Sequence, residues 1–339
     1  VTSDQATVVR FHELGGPEVL RLRQEPIGVP GPGEVRVRVD AIGINRAEAL
    51  FRSGHYIEPV RRFPAGLGAE AAGEIELTGP GVGDLRPGDA VSVVPAFSQN
   101  DYPVYADRAI VPAAAVVRRP DGVDAITGSA TWMAFLTAYG ALVEGGGVRP
   151  GDTVLLNAAS SSVGLALIQV ARHLGVRTVA LTRTAAKKPA VLDHGADEVI
   201  VTSTEDVPAR VAALTNGRGV RMVLDAVAGS GITDLARLVA PDGTLLVYGA
   251  LSGEPTPYPG VELGLPALSI RSYTMHETSR DPLRLARAEA FITAGLRTGA
   301  FRPVIADTFP LEEVVAAHTR LDANTHVGKL VLTVPPGLR

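Results

Sequence analysis

Residues 152–184 hold the residue types and spacing of a phosphate site. Asp152-Thr-Val-Leu-Leu-Asn157 reads as a buried strand, Ala158-Ala-Ser-Ser-Ser-Val-Gly164 as a tight turn, Leu165–Arg172 as a helix and Val176–Arg183 as the next strand. Small residues in such a turn let backbone N–H groups approach a pyrophosphate at a helix N-terminus. Against the pattern G-x-G-x-x-G the chain offers Ala159, Ser161 and Gly164, so the turn alone is a weak signal. The hydroxyls of Ser160, Ser161 and Ser162 compensate with hydrogen bonds where approach room is lost, beside Val163 and Gly164.

The end of the following strand adds a second signal. Sites for NAD place Asp or Glu there for the ribose 2′-OH, whereas this chain has Thr182-Arg183-Thr184 followed by Lys187 and Lys188. A 2′-phosphate suits that cluster, and the expected cofactor is NADPH. The alternative is a solvated basic turn at a helix start. Lysine is otherwise confined to Lys329, which makes an adjacent pair at this point a placed feature.

The elements that must position these groups follow from the hydrophobic patterning. The first 120 or so residues are rich in Gly and Pro and show short alternating segments, such as 34–40 and 89–94, as in an all-β barrel-like domain. From about Thr127 helix-length runs alternate with β-branched strands at 152–157, 176–182, 197–202, 220–225 and 243–249, which predicts an α/β doubly wound parallel sheet. The Pro/Gly-rich stretch 253–266 is expected to carry the chain out of that sheet. The strand pattern of Val327–Val334 is expected to complete the first domain.

Composition narrows the function classes. With 339 residues, 46% hydrophobic and 20% charged, the chain suits two soluble domains. A net charge of −4 gives no electrostatic footprint for nucleic acid or an anionic membrane. No apolar run approaches the roughly 20 residues needed to span a bilayer and no basic-then-apolar leader is evident, so the expected location is cytoplasmic. Zero cysteines exclude disulfides, thiolate catalysis and Cys-ligated metals. The seven histidines (12, 55, 173, 194, 276, 318 and 326) show no metal-ligand spacing, so no metal is expected.

Several ordered landmarks together resemble the medium-chain dehydrogenase/reductase superfamily, in the zinc-free branch of quinone oxidoreductases and enoyl reductases. They are Gly43–Tyr56, Gly68-Ala-Glu-Ala-Ala-Gly73, Arg86-Pro-Gly-Asp-Ala-Val91, Leu136-Thr-Ala-Tyr139, the 158–164 turn, Val247-Tyr-Gly-Ala250 and Gly328-Lys329. The resemblance implies a GroES-like β-barrel domain (1–126 and 298–339) and a Rossmann domain binding NADP(H) (127–297), with the active site in the cleft between them. It also implies a homodimer. Zinc-dependent relatives place Cys near the position of Asn45 and His at that of Ala69, so this chain lacks those ligands. Without a Lewis acid, the natural acceptor stabilises negative charge itself, as a quinone or an alkene conjugated to a carbonyl does.

The resemblance also suggests roles for single residues. Tyr56 matches a tyrosine proposed as proton donor or enolate stabiliser; the alternative is packing with one hydrogen bond. Asn45 could donate its amide to the substrate carbonyl or the nicotinamide ribose, or bond its own backbone before a helix. Thr137 matches a threonine near the nicotinamide, although a helix hydroxyl often returns to its own backbone. Asp225 ends a predicted strand and could border the cofactor or cap the next turn. Tyr248 and Gly249 follow the next strand and offer backbone to the nicotinamide, and Lys329 joins the cofactor-binding set. His276 and Glu277 are adjacent and are not read as a dyad. The loops 95–105 and 258–268 are expected to shape an apolar acceptor pocket. Arg61, Arg62 and Arg280 are weak phosphate candidates, read mainly as surface charge.

These readings converge on a zinc-independent NADPH oxidoreductase reducing a quinone or an activated C=C bond. The alternatives are a C=N or other tailoring reductase of secondary metabolism, and a cofactor-binding redox sensor with little turnover.

Overall fold

The computed structural model describes residues 5–261 and 265–335. It forms two compact units, Val1–Met133 with Ser279–Arg339, and Ala134–Thr278.

In the first unit the chain lays down β1 (Gln5–Arg10), β2 (Arg21–Pro26), β3 (Glu34–Ile44), β4 (Ala71–Thr78), β5 (Ala90–Val93), β6 (Arg108–Pro112) and β7 (Val116–Arg118). The second unit carries β8 (Thr153–Leu156), β9 (Arg177–Thr182), β10 (Glu198–Val201), β11 (Val220–Asp225), β12 (Val239–Val247) and β13 (Leu268–Ser272). The chain then returns to the first unit for β14 (Ile305–Pro310) and β15 (Lys329–Thr333).

The first unit is built on a seven-stranded sheet in which β14, β15, β3, β4, β5 and β7 are successive neighbours and β6 also pairs with β3. Strand β3 is long because it serves several partners: Ile44 to Ala41 pair with β15, while Glu34 to Arg38 pair with β6. Its alternation of Val35, Val37 and Val39, all fully buried, fills a core with Phe11, Phe51, Leu67 and Tyr105. The C-terminal strand completes this unit, as its hydrophobic pattern predicts.

The second unit is a six-stranded, all-parallel sheet in the order β10-β9-β8-β11-β12-β13. All five expected strands appear, four of them close to their expected bounds; β12 starts earlier, at Val239, through a pairing with Val220 and a bulge. One expectation is corrected: after the Pro/Gly-rich stretch the chain re-enters the sheet as β13, paired with β12 from Gly243 to Val247. The partly buried Leu268 and Ile270 pack against the sheet's core and hold it there. Because β8 lies between β9 and β11, the winding reverses at β8/β11, the position where such sheets bind ligands beyond the strand carboxyl ends.

The unit boundaries also differ from expectation. Residues 279–297, expected with the second domain, belong to the first unit. Ser279 Oγ donates to Pro95 O at 2.8 Å, Arg280 pairs with Glu58 at 3.4 Å, and Phe301 packs against Phe291 on the helix Pro282–Thr298.

Candidate active site

The turn after β8 in the second unit has the strand–turn–helix build that its sequence predicts. Buried β8 ends at Leu156, Ala158 takes a positive φ of 48°, and Ser161 caps the helix Ser162–His173, its Oγ accepting from Gly164 N at 3.1 Å. A Cβ at Gly164 would lie 2.6 Å from Ala159 O and 2.7 Å from Ala158 O, so the helix start rests against the turn too closely for any larger residue. Ser160, Ser162 and Val163 line this end half-buried.

The cationic cluster meets that turn. Lys187 Nζ donates to Ser160 Oγ at 3.3 Å, which links the segment after β9 to the turn after β8. Arg183 is exposed and makes no hydrogen bond or ion pair among the described residues. Lys188 turns away to Glu205, at 3.6 Å. Thr182 is buried, with its hydroxyl donating to Thr184 O at 3.4 Å.

At the switch point, Asp225 Oδ1 accepts from Asn157 Nδ2 at 2.6 Å and from Val227 N and Ala228 N at 2.8 and 3.0 Å, while Asn157 Oδ1 accepts from Ala226 N at 2.8 Å. These bonds tie together the carboxyl ends of β8 and β11. Asp225 Oδ2 and Tyr248 Oη are buried and unbonded among the described residues. Burial, then the Asp225 charge, raises the Tyr248 hydroxyl well above the usual tyrosine range. Gly249 runs against the residue that follows β11, since a Cβ there would meet Ala226 O at 2.6 Å. Thr137 is buried on the helix Trp132–Tyr139.

The turn, the free guanidinium of Arg183, the serine hydroxyls and the orphaned buried oxygens fit a dinucleotide carrying an extra phosphate. Asn157, which the sequence shows only as a polar residue ending an apolar strand, emerges as the residue that fixes Asp225.

The first unit gathers a second set. Asn45 begins the helix Arg46–Arg52, its N–H donating to Glu48 Oε2 at 2.6 Å in a capping arrangement. Its amide nitrogen reaches Glu70 Oε1 at 3.1 Å and Gly43 O at 3.4 Å, and its oxygen accepts from Lys329 Nζ. Lys329 also pairs with Glu70, whose other oxygen accepts from Met133 N at 2.8 Å. Asn45 is thus surrounded by polar partners of its own unit. Burial, then repulsion from Glu70, pushes the Glu48 carboxyl up to about 7 against the pull of Lys329. Glu48 is legible as a capping residue three positions after Asn45. Glu70 has no local signal, because its partner Lys329 is 259 positions away.

Tyr56 is half-buried, packed edge-on against Phe51 with ring centres 6.3 Å apart, and its hydroxyl makes no hydrogen bond among the described residues. Burial, then Glu48 and Glu58, pushes it up to about 12. Glu58 accepts from Ser98 Oγ at 2.6 Å and so ties the Tyr56 loop to the 95–105 loop. Arg61 is bound to Asp101 at 2.9 Å and Arg280 to Glu58, as surface charges would be. Glu277 pairs with Arg271. Of the other expected pocket segment, 262–264 lie outside the described residues.

Residues 31–121 match the family model of the alcohol dehydrogenase GroES-like domain, and 162–289 match that of zinc-binding dehydrogenases. A quinone oxidoreductase of Pseudomonas aeruginosa is 34% identical over 96% of this chain and 98% of its own length. This chain belongs to the quinone oxidoreductase branch of the medium-chain dehydrogenase/reductase superfamily. A 2-haloacrylate reductase of Burkholderia is 29% identical over 95% of this chain and 97% of its own length. The solved quinone oxidoreductase of Escherichia coli complexed with NADPH superposes with a TM-score of 0.90 at 27% identity, over 96% of this chain and 99% of that one. The superfamily's GroES-like and Rossmann-like folds are those of the two units here. Despite the name of the second family model, no group of three or more His, Cys, Asp or Glu side chains suited to a metal occurs among the described residues.

Proposed function

We propose that the chain is a zinc-independent NADPH oxidoreductase that reduces a quinone or an alkene conjugated to a carbonyl. The observation that carries this reading is the paired placement of Lys187 on Ser160 with Arg183 left free, which equips the dinucleotide turn for a 2′-phosphate. Relatives solved with NADPH support it. When bound, NADPH supplies a hydride, and the acceptor becomes an enolate or a hydroquinone anion.

The chain's own residues then have three tasks. The turn at 158–164 and the basic pair hold the phosphates. Asp225, braced by Asn157, and the backbone at Tyr248 and Gly249 border the carboxyl ends of β11 and β12, with Thr137 as a further cofactor contact. Tyr56 stays protonated far above neutral pH, so its O–H can donate to the new oxyanion and pass it a proton, regaining one from solvent. Zinc independence is supported by the donor set: no cysteine, alanine at position 69, and an asparagine at position 45 engaged by Lys329 and Glu70. We further propose a cytoplasmic homodimer.

The test is NADPH and NADH oxidation measured with a quinone and with a conjugated enone, products identified. Enone reduction alone assigns the enoyl-reductase side, in line with the 2-haloacrylate reductase relative; quinone reduction alone assigns a flat-acceptor pocket. NADPH binding with no turnover on either would favour the redox-sensor alternative, and equal use of NADH would count against the reading of Arg183 and Lys187.

A further inference from the structure

The backbone from Tyr56 to Pro64 belongs to no helix or strand. Just before it, His55 N donates to Leu50 O of the helix Arg46–Arg52, and just after it Ala65 N donates to Phe11 O. Between these points no backbone group bonds another backbone group among the described residues. Such a segment keeps its place through side chains, and those that serve here come from residues 98–101 and 280. Asn100 grips the backbone with both ends of its carboxamide: Nδ2 donates to Pro59 O at 3.1 Å and Oδ1 accepts from Arg61 N at 3.0 Å. The pair of Arg61 with Asp101 is more than half exposed on both sides and adds little. Glu58 is 24% exposed; its Oε2 accepts from Ser98 Oγ at 2.6 Å and its Oε1 from Arg280 Nη2 at 3.4 Å. Ser98 Oγ also accepts from Asn100 N at 3.2 Å, which joins the two grips. All of these residues belong to the first unit.

Tyr56 stands two positions before Glu58. Phe51 holds its ring edge-on, and nothing bonds its hydroxyl among the described residues. After burial and the charge of Glu48, the charges of Glu58 and Arg280 act on that hydroxyl, so the pair lies within its electrostatic reach. We propose that Glu58 is a positioning residue for Tyr56: its bonds to Ser98 and Arg280 hold the 56–64 segment against the 95–105 loop and set where the Tyr56 hydroxyl meets the acceptor's oxyanion. The proposal rests on the proton-donor role given to Tyr56 above. A misplacement of about 1 Å at a reacting group costs on the order of a hundredfold in rate, so slack in this segment should register in turnover.

The test compares the full-length chain with Glu58→Ala, Glu58→Gln, Tyr56→Phe and the Glu58→Ala/Tyr56→Phe double variant, by Tm, NADPH affinity, and kcat with a conjugated enone. Glu58→Ala should lower kcat by roughly tenfold at unchanged NADPH affinity, with little change in Tm because the segment is outside the core. Glu58→Gln keeps an oxygen for the Ser98 hydroxyl and should restore most of that loss. In the Tyr56→Phe background Glu58→Ala should cost less than about twofold, since a residue that acts through the hydroxyl has nothing left to position. A wild-type kcat for Glu58→Ala, or the same loss with and without the hydroxyl, would overturn the proposal while leaving the role of Tyr56 intact. A wild-type kcat for Tyr56→Phe would instead refute that role, and this proposal with it. If the wild-type chain reduces no acceptor, trypsin decides: cleavage after Arg61 or Arg62 that is several-fold faster in Glu58→Ala than in the wild type supports the clamp, and equal rates refute it.

Discussion

Lys187 Nζ and Ser160 Oγ stand 3.3 Å apart, joining the segment after β9 to the turn after β8. Lys188, its chain neighbour, is turned to Glu205 instead. Two adjacent lysines therefore have different tasks, and substitutions should separate them. Lys187→Ala and Arg183→Ala should each weaken NADPH binding by roughly tenfold or more and leave NADH binding nearly unchanged, since each removes a charge-assisted contact to a phosphate only NADPH carries. Lys188→Ala should alter neither, because it removes a half-exposed ion pair of small worth. Fluorescence titration with both cofactors checks all three.

Tyr56→Phe keeps the edge-on packing on Phe51 and removes only the hydroxyl. Turnover should fall by about a hundredfold, the lower range for a lost proton donor, with NADPH affinity unchanged. Steady-state kinetics with an enone provides the measurement; an unaltered kcat would reduce Tyr56 to a packing residue.

Glu48 makes stability depend on pH in an unusual direction for a carboxylate. Its folded value, about 7, lies above its ordinary 4.5, so the folded state holds the proton more tightly than the unfolded chain does. Its contribution is fully present below about 4.5 and is lost as pH rises through 7, on the order of 3 kcal/mol in all. Glu48→Gln mimics the protonated form and should flatten this loss. Urea unfolding from pH 5 to pH 8.5 tests it, and parallel slopes for the two proteins would refute it.

His318 acts at the opposite end. Burial, then Arg52 and Arg46, lowers it from 6.5 to about 3, with Nδ1 accepting from Arg52 Nε at 3.4 Å and Nε2 facing Tyr105 Oη at 3.3 Å. The folded state keeps the ring neutral, so its stability is complete above 6.5 and is lost as pH falls toward 3. His318→Gln should lower stability at pH 7 yet lose less on acidification. Unfolding midpoints at pH 7 and pH 4 are the comparison; an equal acid loss in both proteins would show that other groups govern the acid limb.

Gly164→Ala would push a Cβ into two backbone oxygens of the turn, so the helix start must shift. NADPH affinity should fall together with a lowered Tm. A variant with wild-type affinity would show that the turn is not where the phosphates bind.

Local chemistry was legible without coordinates. The turn at 158–164, its serine cap and the basic residues after β9 lie within about 30 positions, and near-neighbour backbone geometry follows from residue type and spacing. Five of the six parallel strands are equally readable, because each holds a short run of buried β-branched and aliphatic residues. Strand β13 escaped notice in part because Leu-Ser-Ile-Arg-Ser keeps only a weak apolar alternation, as suits a strand with one partner at the edge of a sheet.

What the chain alone determined is the fold class, set by patterns repeating over a few residues, the family, set by ordered landmarks along the chain, and the local build of the 158–164 turn. Tertiary structure decided which lysine meets the turn, that Asn157 braces Asp225 across 68 positions, and that Lys329 closes on Asn45 and Glu70 from the far end of the chain. Those pairings depend on where strands β3, β8, β11 and β15 lie in their sheets. A residue's burial and partners come from such long-range packing, and they set whether an ionisable side chain is a surface charge or a buried, paired group.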